Sequence, residues 1–157
     1  MTLEGRSGRF VGGLSVWGRT VLAGLVAGAL FGIIIQFWLG KMTGMGLLYG
    51  GSRSLIRGWI VHLFHSIIGA VVFVAITTRR PIERYLTERS YDTIFGLVYG
   101  FVLWAVITIV LLPMWFGLTV AWPEGPLQNF TTGELFGSLI GFSLYGMVLG
   151  GSVGIHR

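Results

Sequence analysis

His62 and His65 stand one helical turn apart in a stretch, Gly58–Thr77, that carries no charged residue, and Ser66 and Gly69 follow them. On a helix, spacings of three and four residues put these groups on one stripe. An ionisable side chain inside an apolar span is costly to place and points to function by default. Two neutral imidazoles can ligate a metal, supply an axial haem ligand, hydrogen-bond a quinone carbonyl or relay a proton. Gly69 would let a flat ring approach the same stripe. The competing role is structural, because both histidines fall in the first two turns of the span, where a loop carbonyl or water can satisfy them. A haem held by two histidines of one chain needs a second helix to supply one. The third histidine, His156, lies at the opposite end of the molecule. A single axial ligand, a pair formed between chains and a quinone contact all stay open.

Other polar residues gather near the same end. Arg53 and Arg57 precede this span by about a turn and suit lipid phosphate or another anion. Gln36 could bond across to His62 or His65. Glu134, at the start of a later span, suits the positive end of a helix dipole. Asn129-Phe130-Thr131 has the form of a glycosylation triplet. The sequence shows no Walker loop, no zincin pair and no nucleophile elbow. No lysine falls within a span interior, which excludes a retinal Schiff base, and no Asp or Glu pair does, which weakens any ion-coupled pump. The expectation is no enzyme and no metal centre; the residues do not decide whether a cofactor is bound.

The elements that position these residues are set by composition. Of 157 residues, 54% are hydrophobic and 11% charged, and the mean hydropathy is +0.80. A soluble domain carries about 25% charged residues, so this chain cannot clothe itself in water. Four apolar runs, Thr20–Leu39, Gly58–Thr77, Asp92–Leu112 and Gly133–Ile155, approach the roughly 20 residues that cross a bilayer. The expected fold is an all-α, four-helix integral membrane bundle in a single domain, residues 1–157. A polar tail, Met1–Gly18, leads in. Pro113 is expected to close the third span, and the aromatic stretch Pro113–Thr132 to lie at the headgroups or fold over the bundle. The formal charge of +5 does not signal nucleic acid, since the arginines flank apolar runs and form no basic stripe.

Arg6, Arg9, Arg19, Arg79, Arg80, Arg84, Arg89 and Arg157 fall in the tails and the second connection, against Lys41, Arg53 and Arg57 in the other two. The positive-inside rule then places both termini in the cytoplasm. The chain has 26 glycines. Gly24, Gly28 and Gly32 line one face of the first span, and Gly133, Gly137 and Gly141 one face of the fourth. Gly146, Gly150 and Gly154 continue on another face. Small residues four apart let helix backbones meet in lipid, either within this bundle or against another subunit. The two halves also echo each other: Gly24-Leu25-Val26-Ala27-Gly28 with Gly96-Leu97-Val98-Tyr99-Gly100, and His65-Ser66-Ile67-Ile68-Gly69 with Phe142-Ser143-Leu144-Tyr145-Gly146. Two such hairpins would form a parallel repeat.

The strings Gly96-Leu97-Val98-Tyr99-Gly100 with Trp104, Leu112-Pro113-Met114-Trp115, and Leu144-Tyr145-Gly146 with Leu149-Gly150 resemble a group of small four-span proteins of archaea and bacteria without assigned activity. The resemblance covers the second half of the chain. Where that group carries a histidine before the last Leu-Tyr-Gly, this chain reads Gly141-Phe142-Ser143, so no functional residue is carried over. The expected function is non-enzymatic association in the lipid bilayer, as a homo-oligomer or an accessory subunit among other membrane-protein subunits. The alternatives are a haem- or quinone-binding electron-transfer subunit using His62 and His65, and a small channel or transporter.

The charge asymmetry predicts that cysteines introduced near Arg84 and near Gly125 react with an impermeant reagent from opposite sides of the membrane. Labelling of both from outside would rule out four spans with internal termini.

Overall fold

The computed structural model of the chain describes residues 15–79, 89–119 and 131–153. Four helical stretches are long and apolar enough to cross a bilayer: Trp17–Phe37, Leu55–Thr77, Ser90–Trp115 and Thr132–Ser152. They form an all-α, four-helix bundle. The polar tail, the linker between the second and third spans, the stretch 120–130 with Asn129, and the end of the chain with His156 lie outside the described residues.

Local chemistry sets the helix starts. α1 (Val16–Phe37) begins at Ser15, whose Oγ accepts the Gly18 N–H at 3.2 Å, the usual N-cap bond. Gly40, with φ of 63°, turns the chain out of α1 into the single turn of α2 (Met42–Met45). α3 (Leu55–Thr77) starts from Ser54, whose Oγ faces the Arg57 N–H at 3.5 Å. α6 (Thr132–Val153) opens on a reciprocal capping box. Glu134 Oε2 accepts the Thr131 N–H at 2.7 Å, and Thr131 Oγ1 accepts the Glu134 N–H at 3.2 Å. Glu134 therefore does more than face a helix dipole. It also pairs with Lys41 at 3.0 Å, joining the start of α6 to the turn after α1.

The third span departs from the expectation that Pro113 closes it. α4 (Arg89–Trp104) runs into a π-helical segment, Ala105–Leu111, and continues through Pro113 as α5 (Leu112–Thr119). Proline lacks an N–H, and its ring crowds the carbonyl four residues earlier. The wider π turn accommodates both defects: the Leu112 N–H reaches back five residues to the Ile107 carbonyl. In lipid, where a broken helix leaves unsatisfied groups, continuing is the cheaper outcome. The first part of the predicted aromatic loop, up to Thr119, is thus helix.

The helices pair as α1 with α3 and α4 with α6, and α1 also packs along α6. Tyr99 and Phe95 of α4 meet Phe73 of α3. Apolar residues exposed on the outside, such as Val26, Ile60, Phe64, Phe101 and Val102, are the surface that lipid wets. Inside, glycines set the spacing. A Cβ on Gly96 would strike the carbonyl of Gly146, and one on Gly146 would strike the carbonyl of Gly96. Gly100 meets the carbonyl of Phe142, and Gly150 that of Asp92. Helices α4 and α6 thus touch backbone to backbone, a distance at which Cα–H···O contacts add to dispersion.

Gly146→Ala is expected to cost about 1–3 kcal/mol, because neither backbone can yield to the added methyl. Gly133, with nothing within 4 Å of its Cβ position, is the internal control, and Gly133→Ala should be neutral or slightly stabilising. Unfolding of both variants in detergent checks the difference.

Candidate functional site

The buried residues of α3 are Gly58, His62, Ser66, Ala70, Phe73, Val74 and Thr77. They recur mainly every four positions and face inward. His62 is 4% exposed, and its Nε2 lies 2.8 Å from the Gly28 carbonyl of α1. A carbonyl only accepts, so Nε2 carries the proton and donates. The ring sits edge-on to Phe31 and Trp59. One turn on, Ser66 Oγ donates to the His62 carbonyl at 2.9 Å. The Ser66 side chain fills the space that a side chain at Gly28 would take.

Two tyrosines complete this polar layer, and neither was singled out as a site residue from the sequence. Tyr145 of α6 donates its hydroxyl to the Ser66 carbonyl. Tyr99 of α4 donates to the Gly69 carbonyl at 2.6 Å. All three of the other spans are thereby bonded to α3 near its middle. A Cβ on Gly69 would lie 2.7 Å from the Tyr145 hydroxyl, so the space beside Gly69 holds this phenol. Each tyrosine directly precedes a glycine of the α4–α6 contact, Gly100 or Gly146, and that adjacency was the available signal.

His65 turns elsewhere. Its Nδ1 lies 2.8 Å from the Val61 carbonyl and its Nε2 2.7 Å from the Tyr49 hydroxyl. Nδ1 therefore carries the proton, and Nε2 accepts from Tyr49. The Tyr49 ring is stacked on the imidazole at 5.7 Å and meets Trp115 edge-on. The two histidines are neighbours on one helix but use different ring nitrogens toward different partners. Gln36 bonds to neither of them. Its Oε1 accepts from Trp59 Nε1 at 2.7 Å, because the indole, one residue past Gly58, is the donor that faces the end of α1.

The predicted packing glycines fall at distinct contacts. Gly24 lies against Ala70 and Ser66, Gly28 against Ser66, and Gly32 against Trp59. Gly137 lies against Leu39 and Trp38 of the first hairpin, and Gly141 against Phe31. Gly146 and Gly150 face α4. Gly137 and Gly141 on one face of α6, and Gly146 and Gly150 on the other, are thus occupied inside one chain, while Gly133 meets nothing within 4 Å. Arg53 and Arg57 are exposed. Arg57 borders a shallow groove of about 140 Å³ together with Gly46, Tyr49, Gly51, Ile60 and Val61, smaller than the roughly 300–1,000 Å³ of a drug-sized pocket. Among the described residues no three His, Cys, Asp or Glu side chains group as metal ligands.

At the other end of the bundle Thr20, Thr77 and Asp92 are buried. Asp92, in the first turn of α4, reads in sequence as the mere edge of a span. Comparison with protein families, with characterised proteins and with solved structures finds no match for the chain. What stands is a small all-α protein with four candidate membrane-spanning helices.

His62→Leu is expected to lose roughly 1–2 kcal/mol, the worth of an interhelical hydrogen bond in a membrane, without loss of any bound pigment, quinone or metal. His65→Leu, half-buried and bonded to a loop tyrosine, should cost less. Stability and an absorption spectrum measured together on both variants check this.

Proposed function

We propose that this protein acts without catalysis, by association within the membrane, as a homo-oligomer or as a small accessory subunit of a membrane complex. The observation that supports this reading is the third span. It runs 26 residues, Ser90–Trp115, about 39 Å at 1.5 Å per residue, and has the highest hydropathy of the four. Yet only 22% of its apolar window is buried, against 33–39% in the other three. Its outer face carries Ile94, Val98, Phe101, Val102, Ile109 and Val110. A second membrane helix along this face would cover it. Gly24, Gly28, Gly32, Gly137, Gly141, Gly146 and Gly150, already in contact inside the chain, do not supply that surface. In this reading the termini are cytoplasmic, as the arginine distribution favours.

A second reading, a haem- or quinone-binding subunit, keeps one specific support. His65 donates through Nδ1 to a backbone carbonyl, the arrangement that orients a ligating histidine. A ligand would have to displace Tyr49 from Nε2.

The chain has no cysteine, so single cysteines report cleanly. Val102 and Val26 are equally exposed, at 50% and 49%, on the third and first spans. Oxidation in native membranes is expected to link Val102→Cys into a dimer, or to a cysteine placed on a stoichiometric co-purifying subunit, and to leave Val26→Cys unlinked. Equal linkage at both positions, or none at either, would defeat the association reading.

A further inference from the structure

The groove beside Arg57 has features that neither the histidines nor the third span use. Gly50, with φ of 68°, turns the connection back so that Gly51 lies against the Gly46 carbonyl. A Cβ on Gly51 would lie 2.8 Å from Arg57 Nη1. The missing side chain is what leaves room for the guanidinium to fold over the loop. Lys41 is paired with Glu134, whereas among the described residues neither Arg53 nor Arg57 meets a carboxylate. Arg57 lines a small groove together with Ile60 and Val61, and Arg53, exposed four residues earlier in the chain, adds a second cation near it.

The depth of the groove is marked by aromatics. Trp38, Trp59 and Trp115 cluster at this end of the bundle: Trp38 ends α1, Trp59 bonds to Gln36, and Trp115 Nε1 donates to the Leu48 carbonyl at 2.6 Å. Tryptophans at one level mark the headgroup region. From Ile56, beside Arg57, an exposed stripe descends α3 through Ile60, Phe64 and Ile68, between 73% and 45% exposed. Cationic groups at headgroup depth, a small cradle and an apolar track beneath them match one molecule in charge and shape.

We propose that Arg57, with Arg53, binds the phosphodiester of an anionic phospholipid whose acyl chain lies along Ile56, Ile60, Phe64 and Ile68. The planar guanidinium takes two phosphate oxygens at once. The apolar stripe takes the chain, which distinguishes a lipid from a free anion. This site stands apart from the association reading, since it lies on α3 and uses no residue of the third span.

The test is binding to the purified full chain in detergent, read by native mass spectrometry and by thermal stability. Phosphatidylglycerol, phosphatidylcholine and inorganic phosphate are added separately. Phosphatidylglycerol is expected to bind and to stabilise, phosphatidylcholine to do so less, and inorganic phosphate not to reproduce the stabilisation. Arg57→Gln should weaken phosphatidylglycerol binding about tenfold, the loss of one charged hydrogen-bonding partner. Arg57→Lys, which keeps the charge and loses the fork, should fall between. Arg79→Gln, exposed at the far end of α3, should bind as the parent does. Equal binding of the two lipids, full stabilisation by inorganic phosphate alone, or equal losses in Arg57→Gln and Arg79→Gln would each overturn the proposal.

Discussion

Between α4 and α6, Gly96 and Gly146 each stand where the other's carbonyl would block any side chain. Lipid tails are as apolar as leucine, so burying leucine gives these helices little reason to associate. Close approach is what remains, because dispersion grows with every atom pair brought to contact. The same constraint governs α1 against α3, where Gly24 meets Ala70 and Ser66 and Gly28 meets Ser66. Between α1 and α6 an aromatic side chain fills the gap instead: Phe31 lies over Gly141 and against Phe142 at 4.6 Å.

Close packing in turn makes the polar layer possible. Hydroxyl groups reach a helix carbonyl across a bundle only when no side chain intervenes, and Gly69 clears that path for Tyr145. His62, Tyr99 and Tyr145 each donate to a carbonyl that already lies within a helix. A carbonyl has two lone pairs, so these bonds link helices without breaking them. Near the groove end, Trp59 with Gln36, Trp104 with Ser138 at 3.0 Å, and Lys41 with Glu134 extend the same logic. These polar side chains are thereby bonded within the bundle, most of them to backbone carbonyls, while large apolar side chains such as Val26, Phe64 and Phe101 face outward.

Much of this was legible in the sequence. Uniform apolar runs mark the four spans within a few residues, because crossing hydrocarbon fixes their length. Histidines, glycines and their shared faces could be read from spacings of three and four. What spacing cannot say is which partner a face meets. Gln36 was expected near the histidines and instead takes the Trp59 indole. Pro113 misled because a rule learned in water assumes that a freed carbonyl finds solvent; here a π turn absorbs the defect. Tyr99 and Tyr145 were not singled out, since their bonds are made to carbonyls of another helix, the Gly69 and Ser66 carbonyls of α3. Asp92, read in the sequence only as the start of the third span, is buried in the first turn of α4.

The central claim is that α3 is the hub to which the other spans are bonded, and that these bonds serve cohesion. Tyr145→Phe removes one hydroxyl and nothing else. Unfolding of this variant in mixed detergent, with small molecules that co-purify analysed alongside, tests the claim directly. The account predicts a loss of roughly 0.6–2 kcal/mol with no change in bound material. Unaltered stability, or loss of a small molecule that the parent protein carries, would contradict it.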